Sequence, residues 1–280
     1  MLDESTSILA HIEANILGII HDVPFSPEWC LDAQTQASLK MPLETLIKRS
    51  CEIICFSACV KQDILNHAQY MGAKIHVIPH GLRNYSVLTP CSLPPALKEQ
   101  GFILAVGAKG KRKNLKNLIN AFKLLPTDLQ ARYKIALTGT EWNIDENFLE
   151  MVGESFVVDL GFVSDALLAS LYKSARVLWY GSLAEGFGLP MLEAMEAGLV
   201  VLASHVSCMP EVLGDAGIYC DPYSVQDIAT QLERALVDES LRAACIARGK
   251  KRVKQFDLKK SMQAHIEVIE NLLENPSARG

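Results

Sequence analysis

The chain has 280 residues, of which 49% are hydrophobic and 21% charged, and its formal net charge is −5. That composition suits one large or two small globular domains with ordinary cores. It lacks the basic excess that phosphate-backbone binding usually leaves, so nucleic acid is excluded as a partner. The eight cysteines do not read as a disulfide framework in a chain this long. Cys51, Cys55 and Cys59 are evenly spaced, but no fourth ligand stands near them in sequence, so buried thiols rather than a metal site are expected. No basic stretch leads into an apolar one as in a signal peptide, and no apolar run approaches the roughly 20 residues of a spanning helix. The expected location is the cytoplasm, with peripheral membrane contact open through Lys250, Lys251, Arg252 and Lys254.

Taken in chain order, strands and helices alternate. Residues 16–21 read as a strand entering a loop, 43–50 as a helix, 53–57 as a strand, 60–71 as a helix and 74–79 as a strand. Residues 84–100, with Pro90, Pro94 and Pro95, read as a linker. A fresh unit then starts: a buried strand at 102–106 and a helix at 115–125 whose apolar residues recur at helical spacing. Strands follow at 133–138, 156–160, 177–180, 200–203 and 218–220, with helices at 166–174, 190–197 and 209–213. Three helices, 225–237, 239–248 and 258–273, complete the chain. This alternation predicts an α/β protein with parallel, Rossmann-like sheets. The first sheet has about three strands where a full doubly wound sheet has about six.

Two loops carry the chemistry. In Ala184 to Gly198 (AEGFGLPMLEAMEAG) a strand runs through Gly186 and Gly188 into a helix opened by Pro190, which makes a site for an anion at free backbone N–H groups. Glu193 is expected in the first turn of that helix, where a carboxylate can accept from both hydroxyls of a ribose. Glu185 is expected at the strand end beside the same loop. The same pattern fits a plain helix start with a favourable acidic residue. In Val106 to Asn114 (VGAKGKRKN) the Walker pattern fails, yet Lys109, Lys111, Arg112 and Lys113 gather at the carboxyl end of a strand, the ligand edge of open α/β sheets. A solvated basic turn is the plainer reading of that run. His21 stands at another such strand end. His76 and His80 are separated by Pro79 in a strand-and-turn context, so they are not read as a metal pair.

The stretches VGAKGKRKNLKNLINAF, LGFVSDALLASLYKSARV, AEGFGLPMLEAMEAG and SCMPEVLGDAGIYCDP, in that order and spacing, resemble the retaining GT-B glycosyltransferases of family 4, also called group 1. Upstream, IIHDVPFSPEW and the segment from IICFSACVKQDI to KIHVIPHGL resemble the later part of that family's first domain, so the resemblance spans nearly the whole chain. It implies a GT-B fold with two Rossmann-like sheets, the first incomplete. A partial acceptor-side domain would cover residues 1–90, a donor-binding domain 91–257, and a C-terminal helix, 258–280, would pack back on the first domain.

The resemblance also implies transfer of a hexose from a nucleoside diphosphate sugar to a glycan or lipid-linked acceptor, with retention, no essential metal and no cofactor besides the donor substrate. Lys113 and Arg112 would neutralise the diphosphate. The backbone of Gly186, Phe187, Gly188 and Leu189 would approach the sugar and phosphate. Glu185 would hold the sugar hydroxyls, Glu193 the ribose, and Val163 would lie near the base, while His21 would face the sugar from the first domain. Ala108 stands where many relatives have Arg. A mannosyltransferase-like subgroup shares that absence and keeps Arg112-Lys113-Asn114, which suggests GDP-mannose. Because the first domain looks shortened, self-association or a partner chain completing it is expected. The competing readings are a nucleotide-sugar-binding module or inactive fragment, and a GT-B sugar-nucleotide epimerase.

Overall fold

The computed structural model describes residues 15–82, 91–139 and 148–274. The start of the chain, its end and residues 84–90 of the expected linker therefore lie outside the described residues. The chain divides into two compact units. One runs through Gly81 and takes in Glu185–Phe187 and the chain from Phe256 onward; the other comprises Leu82–Ala184 and Gly188–Gln255.

Among the described residues the first unit holds a parallel sheet of three strands in the order β1 (Leu17–Ile20), β2 (Glu52–Cys55), β3 (Lys74–Val77). Alternation along β2 assigns its side chains to two faces. Ile53 and Cys55 pack with Ile20, Ile47, Val60 and Ile64, beneath helices α1 (Ala33–Arg49) and α2 (Ala58–Leu65). Ile54 faces the other way and packs with Ile78 and Val268. A parallel sheet needs cover on both faces, and here a late helix, Leu258–Glu274, supplies the second cover. Helix α1 starts ten residues before the expected Leu43. Its N-cap Asp32 accepts from Thr35 N at 2.8 Å, but its first half is polar and Pro42 lies inside it, so no apolar period announces it.

The second unit is a six-stranded, all-parallel sheet in the order β6-β5-β4-β7-β8-β9. The strands are β4 (Gly101–Val106), β5 (Tyr133–Thr138), β6 (Val157–Asp159), β7 (Val177–Tyr180), β8 (Val200–Ser204) and β9 (Ile218–Cys220). Their near-continuous apolar runs are what a strand buried on both faces requires; every residue of β7 and β8 is buried. The helices are α3 (Leu115–Lys123), α4 (Thr127–Arg132), α5 (Phe148–Val152), α6 (Asp165–Ser174), α7 (Leu189–Ala197), α8 (Met209–Leu213), α9 (Val225–Val237) and α10 (Glu239–Arg252), and α11 is Leu258–Glu274 in the first unit.

Helix α3 buries Leu115, Leu118, Ile119 and Phe122 and α9 buries Ile228, Leu232 and Leu236 in one core with Ile103, Ile135 and Leu202. Each such side chain contributes about 1.5–3 kcal/mol. Side-chain oxygens cap the starts: Ser164 accepts from Leu167 N, Ser224 from Asp227 N and Asp238 from Leu241 N. Helix α7 ends at Gly198, whose φ is 76°. Among the described residues no helix is long and apolar enough to cross a membrane.

Candidate functional site

In the second unit, β4 has β5 on one side and β7 on the other. The chain works outward to β6, then returns to start in the opposite direction. Open α/β sheets bind ligands at such a switch point, outside the carboxyl ends of the strands. A cavity of about 400 Å³ opens there. The loop after β4 supplies Gly107, Gly110, Arg112 and Lys113; the end of β5 supplies Thr138 and Gly139; the loop after β6 and the start of α6 supply Phe162, Val163, Asp165 and Leu168.

Backbone bonds tie these loops together. Ala108 N donates to Thr138 O at 3.2 Å and Gly139 N to Gly161 O at 2.9 Å. The approach is close enough to require glycine. Gly139 has φ +125°, and a Cβ there would stand 2.8 Å from Gly107 Cα. The loop after β4 is also tied toward β7. Arg112 Nη1 donates to Ala184 O at 2.8 Å, and Leu183 N donates to Arg112 O at 2.9 Å. Lys113 Nζ stands 5.0 Å from the centroid of the Tyr180 ring, a cation–π distance. Lys109 does not line the cavity. It is buried, pairs with Asp159 at 2.9 Å and lies over the Phe148 ring.

Of the residues expected at the donor, Arg112, Lys113 and Val163 line this one cavity. Gly188, Leu189 and Glu193 belong to the same unit but do not line it. Helix α7 begins at Leu189, so Glu193 lies beyond its first turn; the expectation counted from Pro190. Its carboxylate is fixed by Tyr172, whose hydroxyl donates to Oε2 at 2.7 Å.

Glu185, Gly186 and Phe187 fall in the first unit with His21. Glu185 is not at a strand end: β7 stops at Tyr180, five residues earlier, and the Glu185 side chain is buried in the loop. Ser57 Oγ donates to Gly186 O at 2.7 Å. A Cβ at Gly186 would collide with the Asp22 carboxylate and the His21 carbonyl, so glycine is what lets this loop meet the end of β1. His21 is exposed. It lies 4.5 Å from the Phe56 ring and 5.6 Å from His80, while His80 stacks on Phe56 at 3.7 Å and meets the Phe187 edge at 5.1 Å. Burial, together with His21 and His265 nearby, pushes the His80 imidazole down to about 4. His76 sits 2.7 Å from Glu52. Among the described residues no group of three or more His, Cys, Asp or Glu is arranged to hold a metal ion.

Thr138, Phe162, Asp165 and Leu168 in the cavity, and the Phe56–His80 stack, were not expected from the sequence. Asp165 had a signal: it follows Val163 by two residues at a strand-to-helix turn. The stack had none, since Phe56 and His80 lie in separate strand-end loops.

Comparison with known proteins gives three agreeing results. The sequence profile described as "Glycosyl transferases group 1" matches residues 94–252. The O-antigen chain mannosyltransferase B of Escherichia coli is 38% identical over 182 residues, 62% of this chain and 48% of that protein, and the serotype-specific mannosyltransferase WbdA of the same species is 34% identical over 71% of this chain and 25% of its own length. The chain therefore spans about half or less of these relatives. Among solved structures, sucrose-phosphate synthase from Thermosynechococcus elongatus superposes with a TM-score of 0.79 at 20% identity over 98% of this chain and 71% of that one. Anabaena HepE, solved with UDP and glucose, gives 0.78 at 19% over 97% and 76%. These likenesses fix the fold as GT-B with two parallel sheets, the first of three strands among the described residues.

Proposed function

The chain belongs to the group 1 glycosyl transferases, and on that premise we propose that it is a hexosyltransferase that takes its sugar from a nucleoside diphosphate and passes it to a hydroxyl of a glycan or lipid-linked acceptor. The observation that carries the reading is the cavity at the carboxyl ends of β4, β5 and β6, with Arg112 and Lys113 on its wall. As the bond from sugar to phosphate breaks, negative charge grows on the leaving diphosphate, and fixed cations and N–H groups stabilise it most when they are already in place. Arg112, braced by Ala184 O, and Lys113 would supply that charge without a metal.

Retention of the anomeric configuration and GDP-mannose as donor belong to the same proposal. The mannosyltransferases named above support the sugar. Glu193 would take the ribose, Val163 the edge of the base, and the backbone N–H groups of Phe187 to Leu189 the sugar and phosphate. Glu185 and His21, which share the first unit, would serve the transferred sugar. Self-association, or a partner chain that completes the three-stranded sheet, is proposed from the exposed Ile19, Met262 and Ile266 of the first unit; a monomer by light scattering across a wide concentration range would count against it. Peripheral membrane contact through Lys250, Lys251 and Lys254 is a proposal too, tested by flotation with anionic vesicles.

The test of the donor reading is calorimetric titration with GDP, UDP and ADP in EDTA, on the wild type and Lys113→Ala. Binding of a nucleoside diphosphate that the variant loses supports it. No binding of any of the three overturns it. Proton NMR of a transferred sugar's anomeric centre then reads the stereochemistry.

A further inference from the structure

Two consecutive residues of β7 grip Lys113, one by its main chain and one by its side chain. Trp179 Nε1 donates to Lys113 O in a long hydrogen bond of 3.4 Å, and Lys113 Nζ stands 5.0 Å from the centroid of the Tyr180 ring. Successive side chains of a strand face opposite sides of its sheet. Trp179 accordingly packs in the core that holds α3 and α9. Tyr180 meets the start of α7, where a Cβ on Gly188 would stand 3.2 Å from Tyr180 Cε1. Lys113 thus reaches over the carboxyl end of β7, with its carbonyl on one ring and its ammonium on the next. Both rings are buried, whereas Lys113 is only partly covered and lines the cavity. Tyr180 stands behind that wall.

We propose that Tyr180 is a positioning residue, the face of its ring holding the Lys113 ammonium at the cavity wall before a diphosphate arrives. This inference rests on the donor-site reading above and adds to it a residue that acts through Lys113. A lysine side chain has many rotamers, and a ligand that has to order it loses affinity to the entropy of doing so. A side chain ordered in advance removes that loss. The face of an aromatic ring is the negative pole of its quadrupole and attracts a cation. It does so without cancelling the charge, as a carboxylate would, so the hold that Tyr180 exerts leaves the charge to act on the leaving diphosphate.

Tyr180 also fills space between β7 and α7, and a role in packing alone makes a different prediction. Packing depends on the volume of the ring. Holding an ammonium depends on the electrostatic sign of its face.

The experiment is calorimetry on the full chain with inorganic pyrophosphate and GDP, for the wild type, Tyr180→Phe, Tyr180→pentafluorophenylalanine and Tyr180→Leu, each alone and combined with Lys113→Met, with thermal melts to confirm folding. The fluorinated ring fills nearly the volume of the phenyl ring, but its face no longer attracts a cation. Tyr180→Phe should keep most of the affinity for both ligands. Tyr180→pentafluorophenylalanine and Tyr180→Leu should weaken both by about threefold to tenfold relative to Tyr180→Phe. Combined with Lys113→Met, the three substitutions should bind alike, because no ammonium remains for a ring to hold. A second readout needs no ligand: the ring current should move the Lys113 ε-methylene resonance upfield of the exposed lysines in the wild type and Tyr180→Phe, and not in Tyr180→Leu. Equal affinities for Tyr180→Phe and Tyr180→pentafluorophenylalanine overturn the proposal. Tighter binding by Tyr180→pentafluorophenylalanine does so too, since the ring would then be drawing the ammonium away from the ligand. A loss that persists in full beside Lys113→Met also overturns it. If the ligands bind and the Lys113 resonance is unshifted, the role of Tyr180 alone falls. If the wild type binds neither ligand, the donor-site reading itself falls and takes this inference with it.

Discussion

The Tyr172 hydroxyl donates a 2.7 Å hydrogen bond to Glu193 Oε2, joining α6 to α7. Tyr172 is 2% exposed, so the phenol is a fixed post and the carboxylate is held in one orientation before any ligand arrives. One carboxylate oxygen is thereby engaged by the protein. The other is left to the pair of ribose hydroxyls that the proposed function assigns to Glu193.

Tyr172→Phe should therefore keep the packing and lose the orientation. A hydrogen bond to a charged group of this kind contributes about 1.5–3 kcal/mol when buried, and less where water can replace it. GDP affinity is expected to fall about threefold to tenfold, with Glu193→Ala costing at least as much and inorganic pyrophosphate bound equally by all three proteins. Calorimetry measures both ligands. A loss of pyrophosphate binding in Tyr172→Phe would mean that the cavity had changed shape rather than lost a ribose contact.

Lys113 and Arg112 should separate in the same assay. Lys113→Ala removes a cation that stands over the buried Tyr180 ring, so pyrophosphate affinity should fall at least about tenfold. Arg112→Ala should show the same loss of affinity together with a lower melting temperature, because Arg112 Nη1 also satisfies the Ala184 carbonyl. A melting temperature of Arg112→Ala equal to that of the wild type would remove the bracing role given to Arg112.

How much of this could be read from sequence depends on where the physics is local. Strand β7 is an unbroken apolar run, Val177–Tyr180, that stops at Gly181, and β5, Tyr133–Thr138, is a largely apolar run interrupted by Lys134 that stops at Gly139, so both limits could be read from the sequence. Helices α4 and α5 have six and five residues, too few for an apolar period to show. Arg112, Lys113 and Val163 sit in loops whose residue types suggest a ligand, and the fold brings them to one cavity. The positions of Glu185 and Glu193 were misjudged because both were counted from a motif edge, whereas β7 ends early and α7 starts one residue before its proline. His80 was invisible as a partner of Phe56. Their stacking depends on two loops brought together by a parallel register, Cys55 beside Val77, and no local spacing encodes it.

Gly139 is a backbone test of the cavity floor. With φ +125° and a Cβ that would meet Gly107 Cα at 2.8 Å, Gly139→Ala combines strain with a clash against main chain that cannot rotate away. Backbone strain of this kind costs about 1–3 kcal/mol, and each kcal/mol lowers the melting temperature of a unit this size by about 2–4 °C. A drop of several degrees and weaker pyrophosphate binding are expected together. An unchanged melt would show that the loops after β4 and β5 can part without cost.

The His80 imidazole makes the first unit sensitive to acid. Burial first, then His21 and His265, depress it from 6.5 to about 4. Between those two pH values the unfolded chain holds a proton on this ring that the folded chain does not, so folding becomes less favourable as pH falls. The contribution is fully present above about pH 6.5, declines from there to pH 4, and changes no further below it, where both states are protonated. The ring is only partly buried, so solvent screening reduces the effect below what the full shift would give. His80→Phe can keep an aromatic ring on Phe56 and removes the titration. Melting temperatures of the wild type should fall on going from pH 7 to pH 4.5, and His80→Phe should flatten that slope. The direct readout is NMR of the imidazole carbon-bound protons, in which the His80 resonance should still report a neutral ring at pH 5.5. A midpoint near 6.5 would show that this ring is solvated as in the unfolded chain, and the acid sensitivity would then have to arise elsewhere.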